Sequence, residues 1–152
     1  MTEWEALLAM VKDLYENRLP FNRLLGLKVQ EIGHDSAEFT FRMREEFVGN
    51  SVHGILHGGV ISAVLDATGG MTATAAALGQ MAGMDADEMI RRASRIGTID
   101  LRVDYLRPGK GDRFHSRGEV MRTGNKVAVI RSELTNQDGL LIAAGTGAYL
   151  VG

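Results

Sequence analysis

Apolar residues recur at helical spacing through the first turns of the chain. Trp4, Leu7, Leu8, Val11, Leu14 and Tyr15 fall on one stripe, and Thr2 stands three residues before Glu5 in the spacing of a capping box. The pattern predicts an amphipathic helix over Glu3–Asn17, stopped by Pro20. The period then drops to two. Leu27–Ile32 and Ser36–Met43 read as strands, with Gly33–Asp35 as their turn; in the second, Ala37, Phe39, Phe41 and Met43 alternate with Ser36, Glu38, Thr40 and Arg42.

From Gly58 to about Leu78 the pattern is apolar on most sides. Val60, Ile61, Val64, Leu65, Met71 and Leu78 sit among Ala, Ser, Thr and Gly, and Asp66 is the one charge. Small side chains let other backbones approach, so a sheet can wrap such a helix on several sides, although Gly69-Gly70 weakens its middle by roughly 1 kcal/mol per glycine. Asp85–Ser94 predicts a short exposed helix with Met84, Met89, Ile90 and Ala93 on one face. Four strand patterns close the chain: Ile96–Leu106, Phe114–Arg122, Lys126–Leu134 and Leu140–Val151. Their intervening turns are hairpin-length, which predicts an antiparallel meander of all four. The order of elements is an α+β plan in which one curved antiparallel sheet covers one dominant helix.

Composition narrows the function classes. With 152 residues, 45% of them hydrophobic, a single domain spanning 1–152 is expected. Seventeen basic against 19 acidic side chains give a net charge of −2, so nothing in the overall charge drives the chain towards nucleic acid or anionic membranes. The absence of cysteine excludes disulfides, thiolate metal sites and a cysteine nucleophile. Glu3 and Glu5 do not read as a signal peptide, so a cytoplasmic protein is expected. The least charged stretch, Ala67–Gly79, is 13 residues long, against the roughly 20 apolar residues of a membrane helix. His34, His53, His57 and His115 show no metal-ligand spacing, and Gly58-Gly59 lacks the P-loop lysine and the third glycine of a dinucleotide fingerprint, so no metal or bound cofactor is implied.

The run from Asn50 to Asp66 is where chemistry can sit. Gly58 and Gly59 open the helix, and their N–H groups lack intrahelical acceptors at the positive end of the helix dipole. That arrangement binds an oxyanion, and the missing side chains let a carbonyl approach; a tight entry turn is the plainer reading of the same glycines. Asp66 in an apolar helix is costly unless it is paired, hydrogen-bonded or functional, and its functional role is to attack a carbonyl or activate water. Gly59 and Asp66 are seven residues apart on one helix, about 10 Å by the helical rise. One carbonyl cannot touch both, so a catalytic site must combine the glycine of one chain with the aspartate of another. This implies a homodimer.

The string His57-Gly58-Gly59-Val-Ile-Ser-Ala-Val-Leu-Asp66, followed by Thr98-Ile-Asp-Leu-Arg-Val-Asp-Tyr-Leu-Arg-Pro108, resembles the PaaI-like branch of the hotdog-fold acyl-CoA thioesterases over about Phe21–Val151. The resemblance implies a single hotdog domain with an extra N-terminal helix (1–19), the central helix at 57–79 and an insertion at 81–95. It also implies hydrolysis of acyl-CoA to a free acid and coenzyme A, in sites shared across a dimer or dimer of dimers, without metal or cofactor. Carried over by position, Asp66 is nucleophile or general base, Gly59 or Gly58 polarises the thioester carbonyl, His57 shapes the loop beside it, and Thr98 helps hold the lytic water. Asn50 resembles an upstream asparagine, here seven residues before His57 where six is the more usual spacing.

Coenzyme A carries several phosphate charges, and Arg107, Lys110, Lys126 and Arg131, beside the Pro108 and Gly124 turns, are the expected cations. The insertion would cover the acyl channel with Met81, Met84 and Met89. Two other functions fit the same fold: hydration or dehydration of an acyl thioester by a His57–Asp66 pair meeting across a dimer, and a non-catalytic acyl-CoA-binding module. The identity of the acyl group depends on pocket depth and is not encoded in these motifs.

Overall fold

The computed structural model describes residues 1–152. Helix α1 (Glu3–Asp13) starts as expected, with Thr2 Oγ1 accepting from the Glu5 N–H at 3.1 Å and Glu5 Oε2 accepting from the Thr2 N–H at 2.7 Å. The helix does not run regularly to Asn17. After Asp13 it widens into a π-turn over Leu14–Arg18, closed by the Leu19 N–H on the Leu14 carbonyl, and Asp13 accepts side-chain hydrogen bonds from Asn17 and Arg18. Pro20 opens α2 (Pro20–Leu25) as well as ending the segment before it, because proline suits a first helical position where no N–H is needed. Gly26, at φ 70°, ends that helix in a left-handed turn.

Strands β1 (Lys28–Ile32) and β2 (Ser36–Arg42) form the expected hairpin. A two-stranded ribbon, β3 (Val48–Asn50) with β4 (Ile55–Leu56), leads into α3 (Gly58–Gly79); neither strand is long enough to show a period in sequence. Helix α4 (Ala86–Ala93) follows, with its own capping box between Asp85 and Glu88. The chain ends in β5 (Gly97–Tyr105), β6 (Arg113–Thr123), β7 (Val127–Asn136) and β8 (Leu141–Leu150).

The six long strands make one antiparallel sheet in the order β1-β2-β6-β7-β8-β5. Only β6, β7 and β8 form a meander. The expected pairing of β5 with β6 does not occur: β2 takes that side of β6, and β5 lies on the far side of β8 at the sheet edge. The connection around Pro108 is not a hairpin turn. Leu106 and Arg107 both donate their N–H to the Ile142 carbonyl, and the Gly109 carbonyl accepts from Leu56, so this segment is held across its neighbours.

The sheet wraps α3. Ala37, Phe39 and Phe41 of β2 and Phe114 of β6 are buried, and Phe41 and Phe114 stack at 5.1 Å between ring centres. Helix and strand approach closely at Gly118 of β6, where a Cβ would lie 2.3 Å from Thr72 Oγ1. Helix α3 is the one helix long and apolar enough to cross a membrane, and 61% of its apolar window is buried inside the fold. Met81 is fully buried in the core with Met84 and Met89 packed against it, so these three side chains seal the end of the core.

Candidate active site

Half-way along the exposed side of α3, the Asp66 carboxylate is tethered by one oxygen. Its Oδ1 accepts from Thr98 Oγ1 at 2.7 Å and from the Tyr149 hydroxyl at 3.3 Å; no side chain or backbone group of the protein hydrogen-bonds to Oδ2. The hydrogen bonds reach across the fold, since Thr98 belongs to the edge strand β5 and Tyr149 to β8.

Thr98 reaches Asp66 because β5 is bulged. Strict alternation would place Thr98 opposite Ile99, Leu101, Val103 and Tyr105, yet Thr98 pairs with Tyr149 while Asp100 pairs with the very next residue, Ala148. The extra residue turns Thr98 onto the face of Leu101 and Val103 and leaves Ile99 54% exposed.

Tyr149 is the residue that the sequence reading missed. It is 1% exposed, and its hydroxyl also donates to the Asp66 backbone carbonyl at 3.2 Å, so it fixes both the main chain and the carboxylate of the same residue. Burial first, then the neighbouring Asp66 charge, pushes the phenol well above its ordinary value of 10, so it remains a donor. A Cβ on Gly69 would lie 2.0 Å from the Tyr149 hydroxyl and one on Gly147 would lie 2.7 Å from its ring. The helix-weakening glycine pair is therefore half explained by the need to admit this tyrosine. Among the core residues of β8, Tyr149 looked like an ordinary aromatic; the clustering of glycines that faces it is the signal that could have marked it.

At the start of α3, His57 is the N-cap residue. Its Nδ1 accepts from the Gly59 N–H at 2.8 Å, so Nε2 carries the proton when the ring is neutral. Of the two expected carbonyl-polarising donors, Gly59 is thus occupied, and the Gly58 N–H is the one without an acceptor in the chain. Tyr105, at the other end of β5, donates its hydroxyl to the Gly58 carbonyl at 3.1 Å and hydrogen-bonds Ser62 Oγ. Asn50 is not brought to either centre: its side chain accepts from the Val52 and His53 N–H groups and shapes the loop before β4. Arg107 donates to the Leu141 carbonyl and Arg131 pairs with Glu133, while Lys110 and Lys126 lie exposed in loops.

Two centres, a half-tethered carboxylate and a helix start with a free N–H, lie on one helix inside a hotdog sheet. The chain belongs to the thioesterase superfamily, whose family model matches residues 53–143. It is an acyl-CoA thioesterase: it is 43% identical over 148 residues, 97% of this chain and 96% of the relative, to the medium/long-chain acyl-CoA thioesterase YigI of Escherichia coli K12. The protein of that name from Salmonella typhimurium is 45% identical over the same shares. Among solved structures, a thioesterase-superfamily-related protein from Shewanella oneidensis is 43% identical, with a TM-score of 0.93 over 98% of this chain and 97% of that one. These relatives support thioester hydrolysis over the two competing functions, a hydratase and a non-catalytic binder.

Proposed function

We propose that the chain hydrolyses medium- to long-chain acyl-CoA in sites shared between two copies. Asp66 of one chain acts on a carbonyl polarised by the start of α3 in the other. The carrying observation is the asymmetry of the carboxylate: Oδ1 is held by Thr98 and Tyr149, and Oδ2 is left to react.

The geometry supports two chains per site. Helix α3 is unbroken over 22 residues, so Gly58 and Asp66 stay about 12 Å apart at ~1.5 Å per residue, whereas a reacting group must come within ~3 to 3.5 Å of the carbonyl carbon. Strand β5 hydrogen-bonds to β8 on one side and is open on the other, with Ile99 and Tyr105 exposed along it and Leu106 just beyond its end. An unpaired edge of this length is a site for a second strand, and two such edges related by a two-fold axis complete each other.

In the reaction, Oδ2 either takes a proton from water as the hydroxide adds to the thioester carbon, or adds to that carbon itself and is released by water. Both routes break the carbon–sulfur bond and return a proton to the coenzyme A thiolate. The Gly58 N–H and the helix dipole stabilise the negative charge on the carbonyl oxygen meanwhile. Beside His57, Gly59 and Val60, a cavity of about 480 Å³ is walled by Phe21, Leu24, Leu25 and Phe47, a lining that suits an apolar chain. The chain-length reading also draws on the name of the Escherichia coli relative.

The test is hydrolysis of a series from acetyl- to palmitoyl-CoA by the parent protein and by Asp66→Asn, with sedimentation of both. Turnover rising with chain length, its loss in the variant and a dimer or larger species are expected. A fully active monomer would sink the two-chain site. Single-turnover hydrolysis in heavy-oxygen water tests the nucleophilic route, since label on Asp66 arises only when water opens an acyl-aspartyl anhydride at the aspartyl carbonyl.

A further inference from the structure

A second groove, of about 890 Å³, runs over the outer face of the sheet where β1, β2 and β6 lie side by side. Arg23, Lys28, Arg42, Arg44 and Arg113 line it, against one carboxylate, Glu16, whose Oε1 is held on the Val29 N–H. None of the five cations has a carboxylate within 4.0 Å, whereas Arg102, Arg117 and Arg131, elsewhere on the sheet, are ion-paired. So strong a local surplus stands out on a chain whose net charge is −2.

The register sharpens the point. Arg42 and Arg113 are direct cross-strand partners, and Lys28 pairs with Thr40, which pairs in turn with His115. Like charges directly opposite one another destabilise an antiparallel pair, and neither Arg42 nor Arg113 has an ion-pair partner in the chain. An anion between them would offset the repulsion, because arginines on neighbouring strands, their Cα atoms ~5 Å apart, can share the oxygens of one phosphate. None of Arg107, Lys110, Lys126 and Arg131, the cations expected from the turns, lines this groove. Arg44 borders both this groove and the apolar cavity beside His57 and Gly59, and its guanidinium donates to the carbonyl of Leu24, a residue of that cavity's wall.

We propose that this outer groove binds the phosphate groups of a nucleotide, with Arg42 and Arg113 as the paired clamp and Lys28 and Arg23 flanking it. The acyl-CoA substrate supplies such phosphates at the far end from its thioester, and a free adenine nucleotide carries the same chemistry. The inference rests on the thioesterase activity only for the first of these sources.

The experiment compares the parent with the double variant Arg42→Gln/Arg113→Gln, and separately with Lys28→Gln, on an acyl-CoA and on the matching acyl-pantetheine, which has the thioester but no nucleotide. If the substrate's phosphates occupy the groove, KM for the acyl-CoA rises about tenfold or more in the double variant and less in Lys28→Gln. In that case kcat stays within twofold, kcat/KM falls less steeply with added salt, and the acyl-pantetheine is unaffected. If a separate nucleotide occupies it, those constants stay put, but ADP binding measured calorimetrically on the parent is lost in the double variant. Unchanged acyl-CoA kinetics together with no ADP binding to the parent overturns the proposal. Loss of the like-charge pair should leave the double variant melting no lower than the parent, so misfolding does not confuse the result. Failure of the hydrolytic reading would look different, as absent turnover of both substrates by the parent.

Discussion

Strands β5 and β6 both lie against α3, and they do opposite things there. Strand β6 is paired on both sides, buries Phe114 and Ser116 in alternation, and meets the helix so closely at Gly118 that no side chain fits. Strand β5 is paired on one side, is mostly exposed, and touches the helix through two hydroxyls, Thr98 on Asp66 and Tyr105 on the Gly58 carbonyl. The interior strand packs closely against the helix; the edge strand holds the groups of the proposed site on its open side. If that site is the catalytic one, packing and reactivity are carried by different neighbours of one helix, and substitutions should separate them.

The sharpest separation is between Asp66→Asn and Gly118→Ala. The first should lower kcat by about 10² or more with little change in melting temperature, since both candidate roles need an ionised oxygen. The second should do the reverse, costing ~1 to 3 kcal/mol in chemical denaturation because the new Cβ must push Thr72 away, while kcat per folded molecule stays near the parent value. A stability loss in Asp66→Asn as large as that in Gly118→Ala would end the distinction.

Tyr149→Phe comes next and should affect both properties. Removing the hydroxyl takes one of two donors from the carboxylate and a second hydrogen bond from a helical carbonyl, so about tenfold in kcat and roughly 1 kcal/mol in stability are expected, with KM little changed. Thr98→Ala removes one exposed donor to the same oxygen and should cost severalfold in kcat with no measurable change in melting.

The smallest effect belongs to the outer face and to stability alone. Burial opposes the charged form of Glu38, but hydrogen bonds from His115 and Arg117 outweigh it and hold the carboxyl below its ordinary 4.5. A depressed folded value means the ionised group adds stability above 4.5, and that contribution fades as pH falls through the folded value. The melting difference between the parent and Glu38→Gln should therefore be constant near neutrality and shrink below pH 4.5, with kcat unaffected. A difference that grows in acid would reverse the sign and refute the account.

The same contrast explains what could be read in the sequence. Strand β2 is legible because one buried face imposes alternation, and α3 because an apolar helix with small residues has to be surrounded. Asp66 is legible as the one charge in that helix, and the hairpin partners β6 to β8 from their short turns. The edge position of β5 is not legible, because choosing β8 over β6 depends on how the Pro108 segment is held across the fold. Nor is the bulge at Ile99, since one added residue inverts the face of Thr98 without altering local composition. Tyr149 was hidden because a buried tyrosine and a functional one have the same neighbours along the chain, and differ only in where the hydroxyl ends.

The unbroken length of α3 has a genetic consequence. If each site takes Asp66 from one chain and the Gly58 N–H from the other, two dead alleles can rescue each other. Gly58→Pro suits the purpose: a helix accepts proline at its first position, His57 already has the extended ψ of 135° that a following proline prefers, and the N–H lost has no acceptor in the chain. Chains carrying it, mixed and reassembled with Asp66→Asn chains, would form mixed dimers in which one site inherits both lesions and the other inherits none. Random pairing makes half the dimers mixed, so about a quarter of parental activity would return from two inactive parents.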